Sequence, residues 1–587
     1  MLKRYFEKEW VQNAALLTLL GLVVYYFGFH FEFKYDFDWA ILYKETPYGF
    51  MSDLLINGLN LTVTISLYSA ILALGLGTLF GLARLSKFKP VYWFATCYVE
   101  LFRNTPLLIQ LFFWNFALPY AFPEEIRARL FELDFEFWVI VGGLGIFTGA
   151  FMAEIIRSGI QSVPKGLLEA SYSSGLSFGQ TLRRIILPLA FREIIPPLGS
   201  EFLNNMKNSS LAMTIGVADV FWAINEITSL TYHSFEALTI GTVIYTSLSL
   251  LIAGFMNLVN AKLKIVPRGQ ENLTRKAADL LFAPFGMVYS RVSRTKRRIA
   301  RRRAASKTIS PAERLAQLFW KGFTLAARGA FLLFLCLLLY KTATALLGFN
   351  WEVIAKNFKS LLIWRFPKGG ETEFCYGLGG LAVSVLMAVI SITGSFLIGL
   401  FVGMGRTSRF KFIRIPCTAY IELIRANPLL IVITWVYFLI PVMFKFELKA
   451  FWAGTWALTV FFGAYIAEIV RAGIQNVPPG QVEAAKSTGL SYFQTMRKIV
   501  LPQALKQMLP ALVGMFIADF KDTSLIYIIG VMDLTRAAYA INNRIMMYPF
   551  EIYTTVAFLY FVCSYCMSKY ATHLERKLSP EQVRLDM

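Results

Sequence analysis

GLLEASYSSGLSFGQTLRRIILP (166–188) and GQVEAAKSTGLSYFQTMRKIVLP (480–502) share more than half of their aligned residues, although the apolar sequence around them differs freely. A polar, glycine-punctuated stretch kept twice in a very apolar chain decides the reading of the fold. Pro164 or Pro478 precedes each copy, as suits the start of a helix. Glu169 and Glu483 fall in the first turns, where a carboxylate complements the helix dipole. Gly175 and Gly489 follow as C-caps able to take the left-handed backbone. A second helix is predicted to begin at Ser177 or Ser491 and to stop at Leu187-Pro188 or Leu501-Pro502. The result is a helix, a tight turn and a helix, presented twice. Two equal knobs imply a partner with two equal sockets; the bland alternative is a loop copied by duplication.

Working outward, ELFRNTPLLI (100–109) matches ELIRANPLLI (422–431), and AEIIRSGIQSVPKG (153–166) matches AEIVRAGIQNVPPG (467–480). KNSSL (207–211) matches KDTSL (521–525). Matches that recur in one order mean two homologous halves. The chain is 56% hydrophobic and only 16% charged, with a mean hydropathy of +0.54. Soluble domains carry roughly 25% charged residues, and a bilayer crossing needs about 20 mainly apolar ones. Apolar segments at about 11–30, 54–83, 91–121, 137–158, 189–222 and 237–261 are followed by others at about 325–347, 376–404, 412–444, 452–472, 503–532 and 551–570. The reading is an all-α polytopic membrane protein of about 12 transmembrane helices. The first segment rivals a cleaved signal peptide, but its length and the lack of a small-x-small site favour a retained helix.

Lys and Arg accumulate on the cytoplasmic side of a membrane. Arg84, Lys87 and Lys89 match Arg406, Arg409, Lys411 and Arg414, and Arg183-Arg184 match Arg497-Lys498. The alternate loops carry Asp36, Asp38, Glu45, Glu124, Glu125, Glu132 and Asp134. Both termini and both repeated stretches are therefore expected on the cytoplasmic side. The domains read as a leading helix and outer loop (1–50), a first half (51–263, repeated loop 161–188), a basic linker (264–323), a second leading helix and loop (324–375), a second half (376–574, repeated loop 475–502) and a tail (575–587). Arg291 to Arg303 resembles a nucleic-acid patch in charge, but no aromatic residues interleave for stacking. A linker held near anionic lipid heads is preferred, with no nucleic acid as partner.

Glu169-Ala170-Ser171 with Gly175 and Leu187-Pro188, and Glu483-Ala484-Ala485 with Gly489 and Leu501-Pro502, resemble the E-A-A-x-x-x-G…L-P signature of ABC-importer permease subunits. Ser171 departs from it by a small-for-small change. E-L-x-R-x-x-P-L-L and K-D/N-T/S-S-L resemble the branch that imports polar amino acids of the histidine, glutamate, glutamine and arginine type. The resemblance covers about 54–262 and 376–572, omitting the linker and the leading helices. It implies a type I importer fold, coupling helices at the repeated loops (Glu169, Ala170, Gly175, Glu483, Ala484, Gly489), an ABC ATPase dimer on the cytoplasmic face and an extracytoplasmic amino-acid-binding protein. The usual two permease subunits would here be fused in one chain.

Charges in lipid cost roughly 2.5–3.5 kcal/mol at the bilayer centre and should be paired or face the pathway. Glu100 and Arg103, like Glu422 and Arg425, are spaced to pair on one helix face, before kinks at Pro106 and Pro428. Glu154 with Arg157 and Glu468 with Arg471 repeat the spacing and would brace the entry to the repeated loops. Asn208, Ser209, Ser210, Asp522, Thr523 and Ser524 lie deep in the fifth segments. Asp522 would meet a substrate ammonium and the hydroxyls its carboxylate, with Asn208 facing Asp522 across the pseudo-axis; midplane sites between repeats are usual in transporters. The alternative is helix packing through small polar residues, with Lys207 and Lys521 snorkelling.

No G-x-x-x-x-G-K-S/T phosphate loop occurs, so ATP hydrolysis is assigned to another polypeptide and the chain is not read as an enzyme. The outer loops are too short for a solute-binding domain. His30, His233 and His573 lack metal spacing, and Cys563 with Cys566 lack a second pair, so neither metal nor cofactor is implied. An ion-gradient-driven secondary transporter remains the alternative, against which the two knobs count.

Overall fold

The computed structural model describes residues 9–25, 35, 37–46, 49–263, 311–365, 378–444 and 446–578. The Arg-rich run 291–303, Cys375 and His30 lie outside them. The first half runs α1 (Glu9–Tyr25), α2 (Met51–Ala83), α3 (Lys89–Asn104), α4 (Leu107–Phe112), α5 (Glu124–Glu132), α6 (Phe135–Gln161), α7 (Lys165–Ser173), α8 (Phe178–Thr181), α9 (Leu187–Asn208), α10 (Val220–Thr231) and α11 (Ser234–Leu263). The second runs α12 (Pro311–Leu347), α13 (Trp351–Leu362), α14 (Leu381–Arg406), α15 (Lys411–Ala426), α16 (Leu429–Thr434), α17 (Ile440–Phe444), α18 (Ala450–Gln475), α19 (Pro479–Ser487), α20 (Tyr492–Thr495), α21 (Leu501–Asp522), α22 (Leu534–Ile545) and α23 (Pro549–Leu578). Two short hairpins, β1 (Glu45–Thr46) with β2 (Gly49–Phe50) and β3 (Trp364–Arg365) with β4 (Leu378–Gly379), follow the leading helices. Every one of the twelve apolar segments carries a helix, because in lipid a helix satisfies its backbone groups internally. Among the described residues seven helices are long and apolar enough to span a membrane, and two bent pairs add further spans. Helix α12 begins at Pro311, inside the stretch expected as linker.

Each half is organised by one close helix pair, α2 on α6 and α14 on α18. The contact is made by Gly77 and Gly81, and by Gly399 and Gly403, a small-x-x-x-small spacing that lets backbones approach. A Cβ on Gly81 would stand 2.8 Å from the Ala153 carbonyl oxygen, and one on Gly403 would stand 2.6 Å from that of Ala467. Side chains are excluded here because the obstacle is backbone.

The third segment is broken rather than kinked. Thr105 and Asn427 are extended, as residues before proline are, so α3 and α15 end and a new helix starts beyond Pro106 and Pro428. In the second half the two pieces meet at 113°. The short pieces α4 and α16 turn inward, are buried throughout, and interlock the halves. Phe112 of α4 packs edge-on to Tyr553 of α23, ring centroids 5.6 Å apart. Ser249 of α11 donates to the Ala426 carbonyl at 2.8 Å.

The leading helices cross over. Helix α1 lies on α15 of the second half, and α12 lies on α3 of the first, where Phe331 packs on Phe94 and Arg328 covers Phe88. In the first turns of two spanning helices, Glu236 of α11 accepts from Tyr35 Oη (2.5 Å) and Asp38 N (2.7 Å), and Glu551 of α23 accepts from Asn350 N (3.3 Å). The loops that follow the two leading helices are thus pinned at comparable places. There the Lys44 hydrogen bond holds the Asp38 carboxyl below its ordinary pKa.

Candidate functional site: two coupling turns and a cavity between the halves

Both repeated loops fold as helix–turn–helix. Gly175 has φ +74° and Gly489 φ +80°, the left-handed conformation that glycine adopts without strain. In each turn the next residue reaches back to close the helix end, Leu176 N to Ser171 O and Leu490 N to Ala485 O, both 3.1 Å. Ser177 and Ser491 open the second helix with capping boxes to Gln180 and Gln494. Glu169, Ala170, Glu483 and Ala484 are exposed on these knobs. Ser171, the departure from the signature, is explained: its hydroxyl meets that of Thr181 at 3.0 Å and staples α7 to α8. Ala485 offers no such group, and the Thr495 hydroxyl is buried without a partner.

The second helices do not stop at Leu187-Pro188 and Leu501-Pro502 as expected. They widen into π turns at Leu182–Ile186 and Met496–Val500 and continue as α9 and α21. A proline cannot donate to the fourth carbonyl before it and its ring crowds that carbonyl, so the preceding turn opens instead of the helix ending. The π turns Phe113–Ala117 and Trp435–Leu439 likewise lie just before Pro119 and Pro441.

At the entry to each knob one carboxylate gathers two arginines. Glu154 accepts from Arg157 and Arg84, and Glu468 from Arg471 Nε (3.0 Å) and Arg406 Nη1 (2.6 Å). Each tie joins the end of α2 or α14 to α6 or α18. The pairs Glu100–Arg103 and Glu422–Arg425 do not form. Glu422 is taken by Arg406 Nη2 at 2.7 Å, and Glu100 accepts from Asn104 at 3.1 Å. One turn further on, Arg103 and Arg425 lie over Phe151 and Tyr465 at 5.1 and 5.2 Å. An aromatic face on the neighbouring helix holds a guanidinium that the broken helix end turns inward.

Helices α9 and α21 lead from the knobs to a cavity of about 220 Å³ between the halves. Asn208, Ser210, Asp522 and Ser524 line it. Ser209 and Thr523 do not; their buried hydroxyls bond to the Met206 and Phe520 carbonyls on their own helices at 2.6 and 2.7 Å. Lys207 and Lys521 are buried in the wall rather than snorkelling. Lys207 Nζ donates to the Arg425 carbonyl and to Tyr465 Oη, both 2.9 Å, and Lys521 Nζ donates to the Arg103 carbonyl at 2.8 Å. Each cation caps the last turn of the broken helix in the opposite half, where unsatisfied carbonyls and the helix dipole both favour it. Sequence reasoning named these lysines only as snorkelling, and missed Glu201, Tyr465 and Asn427 in the same wall. The signal was the shared K in KNSSL and KDTSL; the partners lie far off in sequence and carried none.

Residues 73–265 and 395–580, more than half the chain, match the family described as the inner membrane component of binding-protein-dependent transport systems. The chain belongs to that family. Its permease domain occurs twice, so this is a fused, multi-pass inner-membrane component. Among similar proteins, the glutamate/aspartate import permease protein GltJ of Escherichia coli K12 is 34% identical over 236 residues, 39% of this chain and 96% of the relative. The probable glutamine ABC transporter permease protein GlnM of Bacillus subtilis is 38% identical over 206 residues, 35% of this chain and 94% of the relative. A crystal structure of an amino acid ABC transporter with histidines is 39% identical, covering 34% of this chain and 92% of that one, with a TM-score of 0.32.

Proposed function

We propose that the chain is the complete translocation path of an ABC importer for polar amino acids, driven by a separate ATPase dimer and fed by an extracytoplasmic binding protein. In this reading both termini face the cytoplasm, and the ATPase subunits grip α7–α8 and α19–α20 through Glu169, Ala170 and Gly175, and Glu483, Ala484 and Gly489. The observation that carries the reading is the continuity of each knob, through its π turn, with a helix whose far end lines the cavity. Helix α9 has 22 residues, so at 1.5 Å each a movement at the knob is carried about 33 Å. Approach or separation of the knobs would swing Lys207 and Lys521 relative to the carbonyls they cap across the halves. Breaking those caps on one side opens the cavity toward one face. The relatives' names supply the cargo class, and Asn208, Ser210, Asp522 and Ser524 are the proposed contacts.

Reconstitution tests this. Proteoliposomes holding the chain with its ATPase and binding protein should accumulate amino acid only with ATP inside. Uphill uptake on an ion gradient by the chain alone would instead support a secondary transporter and overturn the coupling account.

A further inference from the structure

Helix α13 has three sides. At about 3.6 residues per turn, Ile354, Asn357 and Leu361 fall on one side, and all three are buried. Glu352, Lys356 and Lys359 share a second side, exposed and charged, where Lys356 Nζ pairs with Glu352 at 2.6 Å. Trp351, Ala355 and Phe358 share a third side, between the other two. It is apolar yet exposed, Trp351 at 60% and Phe358 at 40%. A helix on a water-bathed surface needs only two sides, one buried and one polar.

The neighbours of α13 fix its depth. Gly348, Phe349 and Asn350 alone separate it from the end of the span Gly322–Leu347, and the span Pro549–Leu574 starts beside it. Phe349 packs on Phe550, ring centroids 6.2 Å apart, and Asn350 N donates to Glu551. Beyond α13, strand β3 pairs with β4, from which α14 runs to Arg406 and its tie to Glu468 at the knob entry. Helix α13 therefore lies where the spans end, on the side away from the knobs. The elbow before it is repeated. FDWAIL (37–42) matches FNWEVI (349–354), and Asp38 and Asn350 each cap the short helix that follows. Each also gives its N–H to a glutamate in the first turn of α11 or α23. Trp39 is exposed like Trp351, and tryptophan at the end of a span sits at headgroup level.

We propose that α13 lies along the bilayer surface and anchors α22 to it. Trp351, Ala355 and Phe358 enter the boundary between headgroups and acyl chains, while Glu352, Lys356 and Lys359 stay in water. The buried side carries the anchor. Asn357 Oδ1 accepts from Arg544 Nη2 at 2.7 Å, in the last turn of α22. That helix ends on Met546, held left-handed at φ +56° without being a glycine, a conformation that persists only where its surroundings fix it. This placement requires only that the chain spans a bilayer, whatever it carries.

In the full chain in phospholipid nanodiscs, p-benzoylphenylalanine is to replace Ala355 or, separately, Lys356. Irradiation should give a phospholipid adduct from position 355 and little from 356, read by mass spectrometry. For the anchor, Trp351→Ser with Phe358→Ser should speed amide exchange at 541–545 by about tenfold or more, since surface binding scales with the apolar area buried. Trp351→Leu with Phe358→Leu should restore it. Elution as the wild-type species is the folding check, and if the serine pair fails it, the cross-linking pair decides alone. No lipid adduct at 355, equal lipid adducts at both positions, or an adduct at 355 to a second copy of the chain overturns the inference. Unchanged exchange in a folded serine pair overturns it as well.

Discussion

Replacing Gly175 and Gly489 together by valine isolates the two turns as the point of coupling. A Cβ at either position would meet nothing within 4 Å, so no clash contributes. The cost is backbone alone: both residues have φ near +75 to +80°, and a left-handed residue with a Cβ loses about 1–2 kcal/mol. Each turn would lose its native geometry by a factor of roughly 5–30. The paired control is Gly166→Ala with Gly480→Ala on the same knobs. Those glycines lie within α7 and α19, also face open space, and should be neutral or stabilised by about 0.5–1 kcal/mol. In proteoliposomes with ATPase and binding protein, amino acid moved per ATP should fall in the valine pair and stay at the wild-type value in the alanine pair. The thermal midpoint of the isolated chain should hardly move in either, since the knobs are exposed. Wild-type coupling in the valine pair, or equal loss in the alanine pair, would refute the reasoning.

Gly403→Val should lower the thermal midpoint in detergent by the equivalent of about 1–3 kcal/mol, because the obstacle is the Ala467 carbonyl and not a movable side chain; an unchanged midpoint would contradict the close packing of α14 on α18. Ala485→Ser should give Thr495 the partner that Ser171 gives Thr181 and stabilise the second knob by about 1 kcal/mol, read as slower amide exchange at 485–495; faster exchange would count against it. Arg406→Met should destabilise by about 1–2 kcal/mol, because Glu468 is only about one quarter exposed, whereas Glu422→Gln should cost almost nothing at 62% exposure. Equal effects of the two would show that the Glu468 tie is not the one that matters.

The repeat, the number of apolar segments and the turn glycines were readable because each is a local pattern: a spacing, a run or a cap needs only neighbours in sequence. The prolines were readable as residues but not in effect. Pro188 and Pro502 widen a helix that continues, while Pro106 and Pro428 break one completely. The difference is set by what receives the freed carbonyls, and in the last turns before Pro106 and Pro428 these are cross-half lysines. The pairs Glu100–Arg103 and Glu422–Arg425 failed for the same reason. Spacing puts Glu422 beside Arg425, but Arg406 on another helix reaches it first, and an aromatic face holds Arg425.

By itself the sequence determined a duplicated, membrane-spanning helical chain with two polar knobs, since hydrophobic length and backbone self-satisfaction in lipid leave no other economical structure. Only the tertiary structure decided which partners its buried charges find. Lys207 and Lys521 reach carbonyls of the opposite half, while Glu201 and Asp522 line the cavity beside them. A charge's partner is chosen by distance in space, and the crossing of the two halves sets that distance.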